Sequence, residues 1–203
     1  MEIFLSQLKG IPKPRASLEQ YEIPGELASQ IINIAYLSGD IRNKRVADFG
    51  CGSGRLTIGS ALMEAKEVIG IDIDEESIKV AEENVKIAES LTNQKIHHKI
   101  KFIQKDILEW NEKADTIIQN PPFGIQSPHA DRLFIRKALE CGKRIYSLHR
   151  HYEKSRVFLK KFIEGNSGEV EKMIKFKYKI PYMFKFHRKP YVTYEVDLFI
   201  ISR

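Results

Sequence analysis

The sequence predicts an α/β fold: a seven-stranded, mostly parallel sheet with an antiparallel last strand and helices on both faces. Three observations support this. Between Arg45 and Glu164, short apolar runs alternate with stretches of helical periodicity, the pattern of strands linked by crossover helices. The first run leads directly into a glycine-rich turn, Gly50-Cys51-Gly52-Ser53-Gly54. The last two runs, roughly 170–180 and 191–201, have only a loop between them, so they must pair antiparallel.

The elements follow in order. "GIPKPRASL" (10–18) holds two prolines and is expected to be an extended connector within an N-terminal extension, 1–23. Leu27, Ile31, Ile34 and Ala35 place an amphipathic helix over 25–37. A strand is expected at 45–50, a helix at 54–65, a strand at 67–73 and a helix at 75–90. Asp74 stands where it can cap that last helix, and the acidic first turn suits the helix dipole. Strands follow at 98–107 and 114–120, then a helix over 130–142 closed by Gly142. A strand at 143–149 and a helix at 152–164 precede the closing pair. Within "KMIKFKYKI" (172–180) the residues alternate, with Lys175 and Lys177 on one face and Ile174 and Phe176 on the other. Residues 1–203 are read as a single domain.

Composition narrows the function class. A 42% apolar content suits a real core, and 30% charged residues speak against a membrane protein. No apolar run approaches the roughly 20 residues of a transmembrane helix. "MEIFLSQLKG" lacks the basic and apolar regions of a signal peptide. Cys51 and Cys141 form no metal-ligand pattern, so a reduced, cytoplasmic protein without a metal is expected. The net charge of +6 is uneven: Lys143 to Pro190 holds 14 Lys/Arg against 4 Asp/Glu, leaving 19 against 23 elsewhere. A basic C-terminal third on a mildly acidic body points to a polyanionic partner, RNA or DNA. Lys185, His187, Arg188 and Lys189 lie among Tyr182, Phe184 and Phe186, a mixture suited to phosphate contacts and base stacking. Together with Lys175 and Lys177 they are the expected RNA-binding residues. A merely solvated lysine face is the competing reading.

In parallel sheets, ligands bind beyond the carboxyl ends of the strands. Four successive strands here deliver a polar group to that rim: Asp48 with the glycines, Asp72, Asp106, and Asn120. Gly50 and Gly52 let the backbone turn tightly and a ligand approach closely. An acid just before the glycines would repel a pyrophosphate, and no Gly-Lys-Ser/Thr is present to grip one. Asp48 suits instead a ligand with an ammonium and a sulfonium. Asp72 can accept hydrogen bonds from ribose hydroxyls, and Asp106 from an adenine amino group. Ile73 and Ile107, their apolar neighbours, are expected beside them in a cofactor site. Together these residues fit S-adenosylmethionine. Asn120-Pro121-Pro122-Phe123 then faces the reactive end. An amide and a backbone carbonyl held by stiff prolines can accept both N–H groups of a planar amine, and Phe123 can stack on its ring. A strand ending in a Pro-Pro turn with a core phenylalanine is the structural alternative.

The chain resembles the Rossmann-like class I methyltransferases over nearly its whole length, and "NPPF" resembles the motif of their amino-methylating branch. "SLEQYEIPGELA", "VADFGCGSGRLTIG", "IGIDIDEESI", "NPPFG", "IYSLHRH" and "KFHRKPYVTYEVDL" narrow the resemblance to the methyltransferase-like-five family in its archaeal form. The resemblance implies an enzyme that makes N6-methyladenosine in small-subunit ribosomal RNA. It implies that Glu19-Gln20-Tyr21 folds over the cofactor as a lid, with Gln20 nearby. It also implies that Asp48, Gly50, Asp72, Asp106 and Asn120 are cofactor or catalytic positions. A small zinc-binding activator protein of the Trm112 type is a partner implied by the family alone. Two other activities use the same motif, protein glutamine-amide and guanine-N2 methylation. A catalytically silent RNA-binding module is the alternative of another class. His149 and His187 have no evident metal-like or nucleophile-activating partners in the sequence and are given no catalytic role.

Overall fold

The computed structural model describes residues 1–124, 129–181 and 191–203. Among them, β1 (Arg45–Phe49), β2 (Glu67–Asp72), β3 (Ile100–Gln104), β4 (Ala114–Gln119), β5 (Gly142–Arg150), β6 (Glu169–Pro181) and β7 (Tyr191–Ser202) form one sheet. Their order is β3-β2-β1-β4-β5-β7-β6. Pairings among β1 to β5 are parallel, and β7 runs antiparallel to both of its neighbours. The expected fold class is what forms.

Side chains alternate across the sheet, so each central strand feeds two cores. Val46, Val68, Ile118 and Tyr146 pack against α1 (Glu2–Ser6), α2 (Gly25–Leu37), α3 (Arg55–Leu62) and α4 (Glu75–Thr92). Ala47, Ile69, Ile117 and Ile145 pack against α5 (Ala130–Cys141) and α6 (Glu153–Gly165). Burial on both faces explains why β1, β2 and β4 read as continuous apolar runs. The helices, covered on one side only, are amphipathic: α4 buries Ile78, Ala81, Val85 and Ala88 and leaves its glutamates in water. On β6, Ile174 and Phe176 pack into the α1–α4 core, while Lys175 and Lys177 are exposed, as the alternation predicts.

Several boundaries differ from expectation; α3, for one, ends at Leu62 rather than at 65. Gly142 does not close α5 as a left-handed cap; it opens β5 with an extended backbone. A Cβ there would meet Ile117 Cγ1 at 2.5 Å, so the glycine answers a close approach between helix end and sheet. The third strand begins at Ile100, because His97–Lys99 turn as a 3-10 helix, and it ends at Gln104, short of Asp106. The connector 10–18 contains a further 3-10 turn, Ala16–Leu18. No helix among the described residues is long and apolar enough to cross a membrane, and none of their acidic, His or Cys groups cluster as a metal site.

Strand order reverses between β1 and β4. Their carboxyl ends therefore diverge around a crevice, where open α/β sheets hold ligands.

Candidate active site

A cavity of about 330 Å³ fills that crevice, within the usual range for small-molecule sites. Its floor is the glycine loop, where Gly50, Gly52 and Gly54 have φ of 68°, 53° and 84°. A Cβ on Gly50 would lie 3.2 Å from Phe134, on the opposite wall. Gly50 N and Cys51 N donate to Ile71 O at 2.8 and 3.0 Å, which ties the loop to β2. Asp72 reinforces it: Oδ2 accepts from Gly52 N at 2.8 Å and Oδ1 from Asp74 N at 2.9 Å. Burial raises its pKa against the lowering effect of those bonds. Asp72, Ile73, Asp106 and Ile107 all line the cavity. Asp106 Oδ1 also caps a 3-10 turn by accepting from Leu108 N at 2.9 Å.

Asp48 is placed otherwise. It stands behind the glycine loop, fully buried, rather than on the cavity wall. The reason is its partner: Thr57 Oγ1 on α3 donates to Asp48 Oδ2 at 2.6 Å. Burial pushes its pKa up to about 7, against the hydrogen bonds from Thr57 that lower it. Oδ1 has no hydrogen-bond partner among the described residues. When ionised, the carboxylate has no counter-ion and would favour a cationic group at the loop in front of it.

The segment from Ile11 to Ile23 forms the roof. Gln20 lines the cavity, but its polar atoms are engaged by the protein. Nε2 donates to Asp74 Oδ2 at 2.9 Å and Ser77 Oγ at 3.2 Å, and Oε1 accepts from Arg15 N at 2.6 Å. Arg15 also pairs with Asp74 at 3.1 Å. So Asp74, expected to cap α4, makes no side-chain cap bond and serves as the clasp for the roof. Burial would raise its pKa, yet the bonds from Gln20 and Ser77 and the charge of Arg15 hold it below the usual range. Glu22, whose carboxylate accepts from Ile11 N at 2.5 Å, pairs with Arg55, which also donates to Leu5 O and Leu8 O. The extension is thereby bolted to α3 at one end and α4 at the other.

Asn120 closes the fourth side. Its Nδ2 donates to Tyr21 O at 3.3 Å, which sets the direction of the amide. Its Oδ1 is buried without a hydrogen-bond partner among the described residues. Buried acceptors are seldom left so, and this one belongs to a cavity residue. Pro122 also lines the cavity, and Pro121 is buried behind it. Phe123 packs into the α1–α4 core with its ring nearly parallel to that of Tyr21, at 13° and 6.3 Å between centroids. Of this pair, Tyr21 is the ring on the cavity wall.

Comparison with known proteins decides among the activities this geometry allows. The family of ribosomal protein L11 methyltransferases (PrmA) matches residues 32–121, the stretch with the glycine loop and Asn120. The rRNA N6-adenosine-methyltransferase METTL5 of Danio rerio is 33% identical over 97% of this chain and 94% of its own. The chain belongs to the methyltransferase-like-five family. An uncharacterized Methanocaldococcus jannaschii protein, MJ0284, is 39% identical over the whole chain and 93% of its own length. The crystal structure of PH1948 from Pyrococcus horikoshii, a candidate RNA methyltransferase, is 40% identical and superposes with a TM-score of 0.89 over the full chain and 95% of its own.

For a member of the methyltransferase-like-five family, several site residues are not evident from sequence. Thr57, Arg55 and Arg15 act through bonds formed across distant segments, and Leu133 and Phe134 reach the cavity only because α5 lies over it. Below the Asn-Pro-Pro-Phe segment runs a buried chain. Gln119 Nε2 donates to Ser147 Oγ at 2.8 Å, which lies 2.6 Å from His149 Nε2. His149 does have a hydroxyl partner, contrary to expectation. The pair is no nucleophilic dyad, because both side chains are sealed from water. Burial pushes the imidazole pKa down to about 3, so it stays neutral and fixes the residue before Asn120. Lys175 and Lys177 both pair with Glu195, at 2.8 and 2.9 Å, and so are half-compensated. Lys185, His187, Arg188 and Lys189 lie outside the described residues.

Proposed function

We propose that this protein transfers a methyl group from S-adenosylmethionine to the N6 amino group of an adenosine in ribosomal RNA, of the small subunit. The observation behind this reading is the orphaned Oδ1 of Asn120 at a cavity built to hold a cofactor. Family membership selects the base.

The residues present fit that cofactor. Gly50 and Gly52 leave room for an amino-acid moiety, with the Asp48 charge behind them. Asp72 has one lone pair on each oxygen beyond its backbone bonds, enough for two ribose hydroxyls. Asp106, Ile73 and Ile107 would border the adenine. When bound, S-adenosylmethionine supplies a methyl group made electrophilic by its sulfonium.

The chain's own groups prepare the amine. The N6 lone pair of adenine is delocalised into its ring. Asn120 Oδ1 accepts one N–H and the Pro121 carbonyl the other, which draws the nitrogen towards tetrahedral geometry and localises the lone pair. Tyr21 fixes the amide so that its oxygen is available, and Pro121 and Pro122 hold the backbone. The acceptors therefore need no reorganisation as charge develops. Tyr21, backed by the core residue Phe123, is the ring on the cavity wall against which the base would stack. Holding amine and methyl in line supplies much of the acceleration. The methylated nitrogen is acidic and gives its proton to solvent, so the reaction needs no strong base.

The chain is a single domain in this reading, with 1–23 as the lid, and it works in the cytoplasm on ribosomal RNA. The cations at 175, 177, 185, 188 and 189 would contact phosphates. A zinc-binding activator of the Trm112 type is proposed as partner on family grounds, and co-expression followed by gel filtration tests it. For the central reading, tritiated S-adenosylmethionine and ribosomal RNA are incubated with the protein and with Asn120→Ala. Wild type should label RNA, and the variant should lose at least about a hundredfold of the rate, the scale of one oriented donor or acceptor. Its cofactor affinity should stay close to normal. An equally active variant would refute the role of Asn120.

A further inference from the structure

We propose that the outer face of α5 and α6, next to the Asn120 cavity, is a docking surface for the RNA strand that flanks the target adenosine. The inference deepens the proposed function and rests on it.

Two arginines on this face are laid over aromatic rings, and a third lies over a ring where β5 ends and α6 begins. Arg132 stands 4.3 Å from the centroid of Phe158, Arg136 5.9 Å from Phe162, and Arg150 4.8 Å from Tyr152. Arg132 and Arg136 are one turn apart on α5, and Phe158 and Phe162 one turn apart on α6. The two phenylalanine rings are themselves near-parallel, at 20° and 6.2 Å. The result is a short ladder of alternating cations and rings across both helices. It is not buried: Phe158 is 42% exposed, Tyr152 50% and Val157 57%.

The ladder adjoins the site on two sides. Ala130, Leu133 and Phe134 in the first turns of α5 line the cavity, so Arg132 sits among wall residues. Tyr152 follows the carboxyl end of β5, whose Ser147 is in register with Gln119, the neighbour of Asn120. Lys175 and Lys177 emerge on this same sheet face, since their neighbours Ile174 and Phe176 point into the opposite core.

The chemistry favours RNA over a protein. Arg132, Arg136, Arg150 and Lys154 form no ion pair among the described residues, and the undescribed segments contain no acid. From Arg150 to Glu164 there are five Lys/Arg and two Asp/Glu. An apolar protein partner would strip water from these cations without compensating them. Phosphates supply the missing acceptors, and a splayed base supplies a stacking partner for an exposed ring.

The test measures binding of a fluorescent single-stranded rRNA fragment by anisotropy across a salt series, using the full chain with bound cofactor product. Phe158→Ala should raise Kd about fivefold to a hundredfold, and Phe158→Trp should restore it. Arg136→Ala should flatten the salt slope by about 0.7. Melting temperature and cofactor affinity should stay near wild type, since both side chains are exposed and outside the cavity. If wild type binds and methylates RNA while the variants bind it equally well, this proposal alone fails. It fails equally if the variants keep RNA affinity and lose self-association or a protein partner. If wild type neither binds nor methylates RNA, the functional reading fails and this one with it.

Discussion

Asp48 stands close to the cavity without lining it. The carboxylate is buried behind the glycine loop with one oxygen bonded to Thr57 and the other unpartnered. Its pKa in the folded chain, about 7, lies above the ordinary aspartate value. Between those values the folded chain binds more protons than the unfolded one, so stability contributed by this group falls as pH rises from about 4 to about 7. Asp48→Asn removes the buried charge. It should therefore raise the melting temperature at pH 8 relative to pH 5, and calorimetry at both values reads the difference. The same variant should bind S-adenosylmethionine more weakly at pH 8, where the native charge is largely present. Equal pH dependence in the two proteins would remove the charge from the account. Sequence alone gives Asp48 the right sign of charge and the wrong address. Thr57 is nine residues away on α3, and only the strand–turn–helix geometry brings the two together.

At the scale of elements, the N-terminal extension matters most. Its prolines mark an extended connector and the family resemblance implies that Glu19-Gln20-Tyr21 covers the cofactor, but neither tells what fastens the segment. The structure shows a clasp. Gln20 and Arg15 reach Asp74, Glu22 reaches Arg55, and the Tyr21 carbonyl reaches Asn120. The roof of the cavity thus also sets the Asn120 amide. Gln20→Ala removes two bonds to the Asp74–Ser77 pair, worth about 1.5–3 kcal/mol when the acceptor is charged. Cofactor affinity should fall roughly tenfold or more, read by calorimetry, and the melting temperature of the free protein should fall by roughly 3–12 °C. An unchanged affinity would show that the clasp is structural only. The strands and helices of the body were legible because burial on one or two faces writes a period into each. The clasp of the N-terminal segment was not, because its bonds are polar, long-range and free of period. For the same reason, Asp74 resembles a helix cap in sequence. A cap and a clasp demand the same residue at the same position.

At the scale of the molecule, the fold joins a cofactor half, β1 to β4, to a half whose outer surface is basic. The glycine loop, Asp72 and Asn120 could be read from the sequence because each follows a strand, and a parallel sheet sends all strand ends to one rim. The α5–α6 ladder could not, because its rings and arginines alternate between two helices rather than along one. Trp110, the only tryptophan, is buried edge-on against Phe49 beneath α5. Its emission should therefore report unfolding of the whole domain. S-adenosylmethionine at a hundredfold over its Kd should stabilise the fold by about 2.7 kcal/mol, a rise of roughly 5–10 °C in Tm for a chain of this size. No shift would argue that the cavity holds something else. The assignment of the substrate rests on family membership together with the Asn120 acceptor. It is tested most directly by digesting ribosomal RNA labelled by the protein with tritiated S-adenosylmethionine and identifying the labelled nucleoside by chromatography. The account predicts that the label elutes as N6-methyladenosine and vanishes with Asn120→Ala. Label in N2-methylguanosine, or in glutamine of a ribosomal protein, would contradict it.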